Sequence, residues 1–166
     1  MSSYTKFNAP LCVQYHETVS KQLGKDYWVV TKDFIYYIGK ENSESWVLIP
    51  AGYLTDGASV PRPFWSFIPP WGQYGQAAVV HDYLCDYGQV NVGNELVNIE
   101  RVDIDQVMIE AMSVLKVPSL TRILIALALW LYRTIIHPKV PSITKEKRTM
   151  QTAVYSKFGR TGTFEL

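Results

Sequence analysis

Cysteine is scarce in this chain of 166 residues, which contains only Cys12 and Cys85. Two cysteines cannot build the disulfide framework of a small secreted domain, and their spacing does not match a metal-binding knuckle. The first twelve residues, MSSYTKFNAPLC, lack the basic stretch and apolar core of a signal peptide. We therefore expect a protein of a reducing compartment.

The chain also lacks a strong net charge and a long hydrophobic run. Its formal net charge is +1, which gives no long-range field that would gather nucleic acid. The apolar stretch from Ile123 to Tyr132 is ten residues long, against the roughly 20 that a membrane span needs. We expect no specific nucleic-acid partner and no transmembrane segment. The helix that carries this stretch is predicted to be central to the core, with contact of Trp130 and Tyr132 with lipid headgroups as the alternative.

Hydrophobic residues are plentiful, at 48% of the chain, enough for one compact core. Aromatic and β-branched residues predict a small antiparallel N-terminal sheet with strands at 27–30, 34–38 and 46–49, the last two forming a hairpin. Helical patterns predict a three-helix core from segments 73–87, 101–115 and 119–136. The segment 14–24 is compatible with strand or loop. The predicted fold class is α+β.

A long aromatic loop, rich in glycine and proline, begins at Ala51 and separates the sheet from the helices. Loops of this length in compact domains are commonly functional. Within TDGASVPR, Asp56 and Gly57 could line a site and Arg62 could bind an anionic group of a substrate. The same residues could instead form a turn, with Arg62 paired to a surface carboxylate.

The C-terminal part of the chain is basic. Residues 138–166 contain six lysine or arginine residues and two glutamates. We interpret residues 1–137 as a single α+β domain and 138–166 as a basic extension. Such an extension could dock on a neighbouring subunit, on the body itself or on a phosphate-bearing partner, or it could lie in solvent.

The stretch AVVHDYLCDYG, residues 78–88, places a histidine and an aspartate in an apolar run. On a helix, His81 shares a face with Ala77, Ala78, Leu84 and Cys85, which turns it toward the core. On the next helix, Asp105 shares a face with methionines in the same way. Because an unpaired buried polar group is costly, we expect His81 and Asp105 to pair. The pair could be a general base held in one tautomer, or a core lock without chemistry.

Asp82 lies about 100° further round the helix from His81 and faces the aromatic loop. With Asp56 and backbone carbonyls near Gly57, it could supply oxygen ligands to a hard cation such as calcium.

Three blocks in this order, IPAGYLTDGASVPRPFW, AAVVHDYL and RVDIDQVMIEAM, resemble a family of uncharacterised phage and prophage proteins known only as a domain of unknown function. The resemblance covers about residues 28–136 and implies a viral source. The His-Asp pair and the distant aspartate are also similar to the pattern of phospholipase A2. That resemblance implies that His81 activates water against a glycerophospholipid ester, Asp82 holds calcium and Asp105 orients the ring.

Two functions follow as expectations. One is a phage-encoded hydrolase with a His81/Asp105 dyad beside Asp82, acting on an ester of the host envelope. The other is a non-catalytic virion component, such as a tail or connector part. The expected partners are other virion proteins or host envelope lipid, with a possible homo-oligomer, and the expected location is the virion or the host cytoplasm. Solvent access at His81 separates the two functions, because a catalytic pair needs an opening.

Overall fold

A computed structural model describes residues 7–57 and 71–160, and it confirms the α+β fold class. The twelve elements of the described chain run in the order β1 (Val13–Tyr15), α1 (Glu17–Leu23), β2 (Trp28–Val30), β3 (Phe34–Tyr37), β4 (Ser45–Ile49), β5 (Leu54–Thr55), α2 (Gly75–Tyr87), β6 (Gln89–Val92), β7 (Glu95–Asn98), α3 (Arg101–Val114), α4 (Ser119–Ile136) and α5 (Lys145–Lys157).

The strands form two antiparallel sheets rather than the single sheet predicted. One has the order β1-β2-β5, and the other has the order β3-β4-β6-β7. The predicted hairpin of β3 and β4 is confirmed, with Phe34 opposite Ile49. β2 joins the other sheet because it pairs with β5, where Val29 lies opposite Leu54. The hairpin of β6 and β7 was not predicted, and it extends the second sheet beyond β4.

α2 is the centre of the hydrophobic core. Its residues Ala77, Val79, Val80 and Leu84 have no solvent exposure, and the helix packs against α3, β4 and β5. The helix ends at Gly88, which adopts the left-handed conformation with φ of 68°. A Cβ atom at this position would lie 2.8 Å from Val140 Cγ1, so both the backbone conformation and the close packing require glycine.

The prediction that α4 is central to the core is wrong. Of its eighteen residues, Ile125 alone is buried. The side of α4 that faces α3 carries Arg133, which binds Asp105 of α3. Most large apolar residues of α4 are therefore turned outward, although Ile125 and Leu129 pack against the core. Hydropathy alone could not predict which side of this helix packs.

Residues 138–160, the described part of the basic C-terminal segment, lie on the body of the protein. Ser142 donates hydrogen bonds to the Cys85 carbonyl from both its backbone N and its Oγ, at 2.8 and 3.0 Å. α5 then begins at the cap residue Thr144 and buries Lys147, Gln151 and Val154. Of the placements considered for this segment, the structure shows docking on the body.

Gln151 connects α5 to the β4–β5 turn. Its Oε1 accepts a hydrogen bond from Leu54 N and its Nε2 donates one to Gly52 O, both at 2.7 Å. Gln151→Ala leaves two buried backbone groups without partners, so we expect it to lower the free energy of unfolding by about 2–4 kcal/mol. Thr152→Ala, on the exposed side of the same turn, serves as the control. Equal urea midpoints for the two variants would contradict this account.

Candidate active site

α2 positions polar side chains on two of its sides. His81 and Asp82 are adjacent in sequence and therefore point about 100° apart. Asp82 and Asp86 are four residues apart and share a face. His81 faces α3, whereas Asp82 and Asp86 face Lys147 of α5. One buried helix thus contributes to two separate clusters of charged groups.

The first group, the Asp105 cluster, consists of His81, Arg101, Asp105 and Arg133. His81 Nε2 and Arg101 Nε each lie 2.9 Å from Asp105 Oδ1. Arg133 Nη1 lies 2.5 Å from the other oxygen, Oδ2. The predicted contact between His81 and Asp105 is confirmed. The sequence analysis did not foresee that two arginines share the same carboxylate.

The charges of this cluster are fixed by its burial and hydrogen bonds. Burial lowers the pKa of His81 below its ordinary value, against the opposing effect of the hydrogen bond with Asp105. Burial alone would raise the pKa of Asp105, but hydrogen bonds from His81 and Arg101 outweigh it and hold the pKa below its ordinary value. His81 is therefore a neutral imidazole that donates a hydrogen bond from Nε2 to the ionised carboxylate of Asp105.

The opening at His81 is small. Its side chain is 13% exposed, and its Nδ1 lies 3.8 Å from Cys85 Sγ, one helical turn away. Burial raises the pKa of Cys85 to about 12, so the residue is a thiol at neutral pH. Cys85, His81 and Asp105 therefore do not supply a nucleophile, because Cys85 stays protonated and the thiolate is the reactive form. The catalytic role of His81 and Asp105 stays a prediction.

The second group, the Lys147 cluster, consists of Tyr53, Asp82, Asp86 and Lys147. Lys147 Nζ lies 2.5 Å from Asp86 Oδ2 and 3.6 Å from Asp82 Oδ2. Tyr53 donates a hydrogen bond from its hydroxyl to Asp86 Oδ2 at 2.8 Å and accepts one from Lys147 Nζ at 3.3 Å. Burial alone would lower the pKa of Lys147, but Asp82 and Asp86 hold it above its ordinary value. The lysine is therefore a buried ammonium.

Asp56 lies at the edge of the Lys147 cluster, next to the end of β5. Its Oδ2 lies 2.5 Å from Lys25 Nζ. The adjacent Gly57 donates its backbone N–H to Thr55 Oγ1 at 3.1 Å. Lys25 thus neutralises Asp56 as Lys147 neutralises Asp86. Within the described chain, the lysine contact of Asp82 is the longer one with Lys147, which is the close partner of Asp86.

Asp82 is the carboxyl group with an unmet hydrogen-bonding demand. Its Oδ2 is buried, and no described residue donates a hydrogen bond to it. Burial raises its pKa to about 7, with further increases from Asp56 and Asp86 and opposing effects from Lys147 and from a hydrogen bond between the carboxyl group and Thr55. Such a group can accept and release a proton near neutral pH, which is the property required of a general acid or base.

The residues predicted for metal and substrate binding have mixed outcomes. Asp56 is close enough to Asp82 to raise the pKa of that carboxyl. Lysine ammonium groups accompany these carboxylates, and among the described residues no group of three or more histidine, cysteine or acidic side chains could hold a metal ion. Calcium binding stays a prediction, and we derive no chemical step through it. Arg62 lies outside the described residues.

An open cleft of about 530 Å³ lies on another part of the surface, between the second sheet and α3. It is lined by Ile38, Val90, Ile99, Asp103, Gln106 and Glu110 among others. None of its lining residues belongs to the Asp105 cluster or the Lys147 cluster. The cleft therefore does not define the access route to Asp82.

Besides Tyr53 and the two arginines, the charged residues Asp86 and Lys147 of the Lys147 cluster were not predicted from the sequence. Asp86 could have been found from its spacing of four residues to Asp82, which places both on one face of α2. Lys147 could have been found from the spacing of Lys147, Gln151 and Val154, which gives α5 one inward side. That side begins with a lysine and a glutamine, so it lacks the apolar signal of an ordinary packed helix.

The fold and these two clusters define an α+β domain with a buried carboxylate site. The chain belongs to the family described as Protein of unknown function (DUF1353), whose model matches residues 28–129. This confirms the expectation of a domain-of-unknown-function family over nearly the same span. The matched segment includes His81, Asp82, Asp86 and Asp105, whereas Lys147 lies beyond it.

One short match links the chain to a bacterial protein. Forty residues are 50% identical to "Uncharacterized protein y4jT" of Sinorhizobium fredii (strain NBRC 101917 / NGR234). The match covers 23% of this chain and 12% of that relative, so the chain spans a small part of the relative's length. No solved structure matches the chain.

The Asp105 cluster generates a prediction about stability. Asp105→Asn removes the charge that neutralises Arg101 and Arg133, and it leaves two partly buried cations together. We expect a loss of about 3 kcal/mol in the free energy of unfolding, measured by urea denaturation. Asp103→Asn, on the exposed side of α3, is the matched control and should change stability by less than about 0.5 kcal/mol.

Replacement of Asp82 by asparagine is predicted to stabilise the protein, whereas Asp105→Asn destabilises it. The pKa of Asp82 is about 7 in the fold against an ordinary value of 3.8, so the folded protein holds a proton between these pH values that the unfolded chain lacks. The stabilisation from neutral Asp82 is therefore lost as pH rises through about 7. We expect Asp82→Asn to be more stable than wild type by up to about 4 kcal/mol at pH 8, with the difference vanishing near pH 4.

Asp86→Asn is the control for this experiment. Asp86 is the close partner of buried Lys147, so its replacement should destabilise the protein at pH 8. If Asp82→Asn were destabilising at pH 8 to the same extent, Asp82 would be an ordinary paired carboxylate.

Proposed function

We propose that this protein is a hydrolase in which the Asp82 carboxylate is the general base that activates water for attack on an ester. The observation that carries the proposal is Asp82 Oδ2, a buried oxygen to which no described residue donates a hydrogen bond. Its neighbours Asp56 and Asp86 each have a lysine at 2.5 Å. Native proteins rarely leave a buried carboxylate oxygen unsatisfied without a functional reason.

The proposed step uses Asp82 twice. Asp82 accepts a proton from water while the water oxygen bonds to the ester carbonyl carbon. When the carbon–oxygen ester bond breaks, Asp82 returns the proton to the leaving alkoxide. A group with a pKa of about 7 suits both transfers at neutral pH. Lys147 Nζ, 3.6 Å from Oδ2, keeps the ionised form accessible.

In this proposal, His81 and Asp105 are positioning residues. They fix α2 against α3 and α4 and thereby hold Asp82 in place, one residue further along the helix. The same contacts support a second assignment, in which His81 is the base as the phospholipase resemblance implies. Because Nε2 is bound to Asp105, the lone pair of Nδ1 is left as the acceptor of the neutral ring.

The substrate class, source and location belong to the same proposal. We retain an ester of the host envelope as substrate, a phage as source, and the virion or host cytoplasm as location, all on the strength of the sequence resemblances. The rival class is a non-catalytic virion component. The neutralisation of Asp105 by two arginines is compatible with this class, because it suits a core lock as well as an enzyme.

The test is hydrolysis of phospholipid and peptidoglycan substrates by wild type, Asp82→Asn and His81→Asn, with calcium or a chelator. We expect Asp82→Asn to lower kcat by about 10²- to 10⁴-fold, because a general base typically contributes that factor. His81→Asn should retain activity within about tenfold if it folds. Asp103→Asn is the control and should match wild type.

The assay also separates the alternatives. A calcium requirement together with equal losses in the Asp82 and His81 variants supports the phospholipase-like assignment. Negligible turnover by wild type on every substrate, equal to that of Asp82→Asn, removes the enzymatic proposal and favours a virion component.

A further inference from the structure

α4 exposes an unusually apolar surface. Its large hydrophobic residues Leu120, Ile123, Leu127, Trp130 and Ile135 are between 51% and 70% exposed. With Leu124 and Leu131, these five residues lie within an arc of about 140° on the helix, given 100° per residue. Tyr132 and Ile136 are also exposed and lie outside this arc. The helix is about 27 Å long at 1.5 Å per residue. Monomeric proteins rarely expose one continuous apolar patch of this extent without a binding function.

The two arginines of α4 point toward the protein, whereas its polar residues Ser119 and Thr134 are exposed. Arg133 binds the buried carboxylate of Asp105, and Arg122 donates a hydrogen bond to Ser119. Arg122 and Arg133 lie on the side of the helix opposite the exposed apolar arc. The helix is therefore amphipathic in the reverse sense to an ordinary surface helix, whose apolar side faces the core.

The charged residues of α4 and of its two flanking segments are all cationic. Lys116, Arg122, Arg133 and Lys139 lie in or beside α4, and residues 116–139 contain no aspartate or glutamate. Lys116 and Lys139 are exposed, one near each end of the helix. A long apolar strip with cationic ends and an exposed tryptophan is complementary to a bilayer with anionic headgroups.

We propose that the exposed face of α4 binds the surface of an anionic lipid bilayer, with the helix lying in the plane of the interface. The leucine and isoleucine side chains enter the boundary between headgroups and acyl chains. Trp130 lies at the same depth, and Lys116 and Lys139 contact anionic headgroups. This proposal concerns a surface separate from Asp82 and does not depend on the hydrolase assignment.

A membrane-spanning position is a poorer fit, although α4 is long and apolar enough to span by length and composition, with a mean hydropathy of 1.5. A spanning helix would have to leave α3. That movement would take Arg133 from Asp105, 2.5 Å away, and carry both arginines of α4 into the hydrocarbon. An in-plane helix keeps the Asp105 cluster intact.

A second copy of the chain is also a poorer occupant. Pairing two α4 helices, in either direction, would bring the exposed Lys116 and Lys139 of one copy near those of the other. The apolar arc of about 140° is also wider than the narrow seam of residues that two paired helices share. Its edges, Ile123 and Trp130 on one side and Ile135 on the other, would stay in water. A bilayer surface covers the whole arc.

The test is cosedimentation of the full chain with phosphatidylglycerol vesicles and, separately, phosphatidylcholine vesicles. We expect binding to phosphatidylglycerol that weakens with salt, and weaker binding to phosphatidylcholine. The double variant Ile123→Glu/Leu127→Glu should lower the partition coefficient about tenfold or more. The matched control, Leu96→Glu/Val97→Glu, adds the same two charges at exposed apolar positions of β7 and should bind like wild type.

Two further measurements keep the proposal falsifiable if the α4 double variant folds poorly. Brominated lipids should quench tryptophan fluorescence of wild type more than of Trp130→Phe. An alkaline carbonate wash should release the bound protein. Absence of wild-type binding, equal binding by both double variants, or resistance to the wash would overturn in-plane binding. A stable dimer in solution that only the α4 double variant dissociates would assign the face to a second copy.

Discussion

The ammonium of Lys147, buried between α2 and α5, is the interaction on which the site depends. It lies 2.5 Å from Asp86 and 3.6 Å from Asp82, and it joins the C-terminal helix to the central helix of the core. One ammonium cannot neutralise two carboxylates equally at these distances. Asp86 therefore has the close ion pair and the Tyr53 hydrogen bond, and Asp82 retains an unsatisfied oxygen. Burial of the Asp82 carboxyl raises its pKa, and Lys147 at 3.6 Å offsets that effect only in part.

Local patterns were sufficient to predict α2, α3, the β3–β4 hairpin and the contact of His81 with Asp105. Each depends on spacing within one element or on the cost of an unpaired buried polar group. α1, the β6–β7 hairpin and α5 were not predicted. α5 buries Lys147 and Gln151, whose polar groups have their partners 61 to 99 residues earlier in the chain. The basic residues of 138–166 suggested a separate extension. No local pattern shows that a lysine of this segment forms an ion pair with Asp86.

α4 illustrates a different limit of sequence reasoning. Its length and boundaries were predicted, since Ser119 to Ile136 is one helix. Its orientation was not, because the helix is apolar over most of its circumference. The ion pair between Arg133 and Asp105 of α3 determines which side of α4 packs against the protein. One buried carboxylate thereby fixes the His81 ring, connects α3 to α4 and turns an apolar surface toward the outside of the protein.

The most direct measurement is the titration of the Asp82 side chain by carboxyl-carbon NMR, with Asp82→Asn used to assign its signal. The account predicts a midpoint near pH 7, because burial and the incomplete neutralisation by Lys147 disfavour the ionised form. A midpoint near the ordinary aspartate value of 3.8 would contradict it. Asp82 would then be a permanently ionised partner of Lys147, and the proposal that it transfers protons at neutral pH would fail.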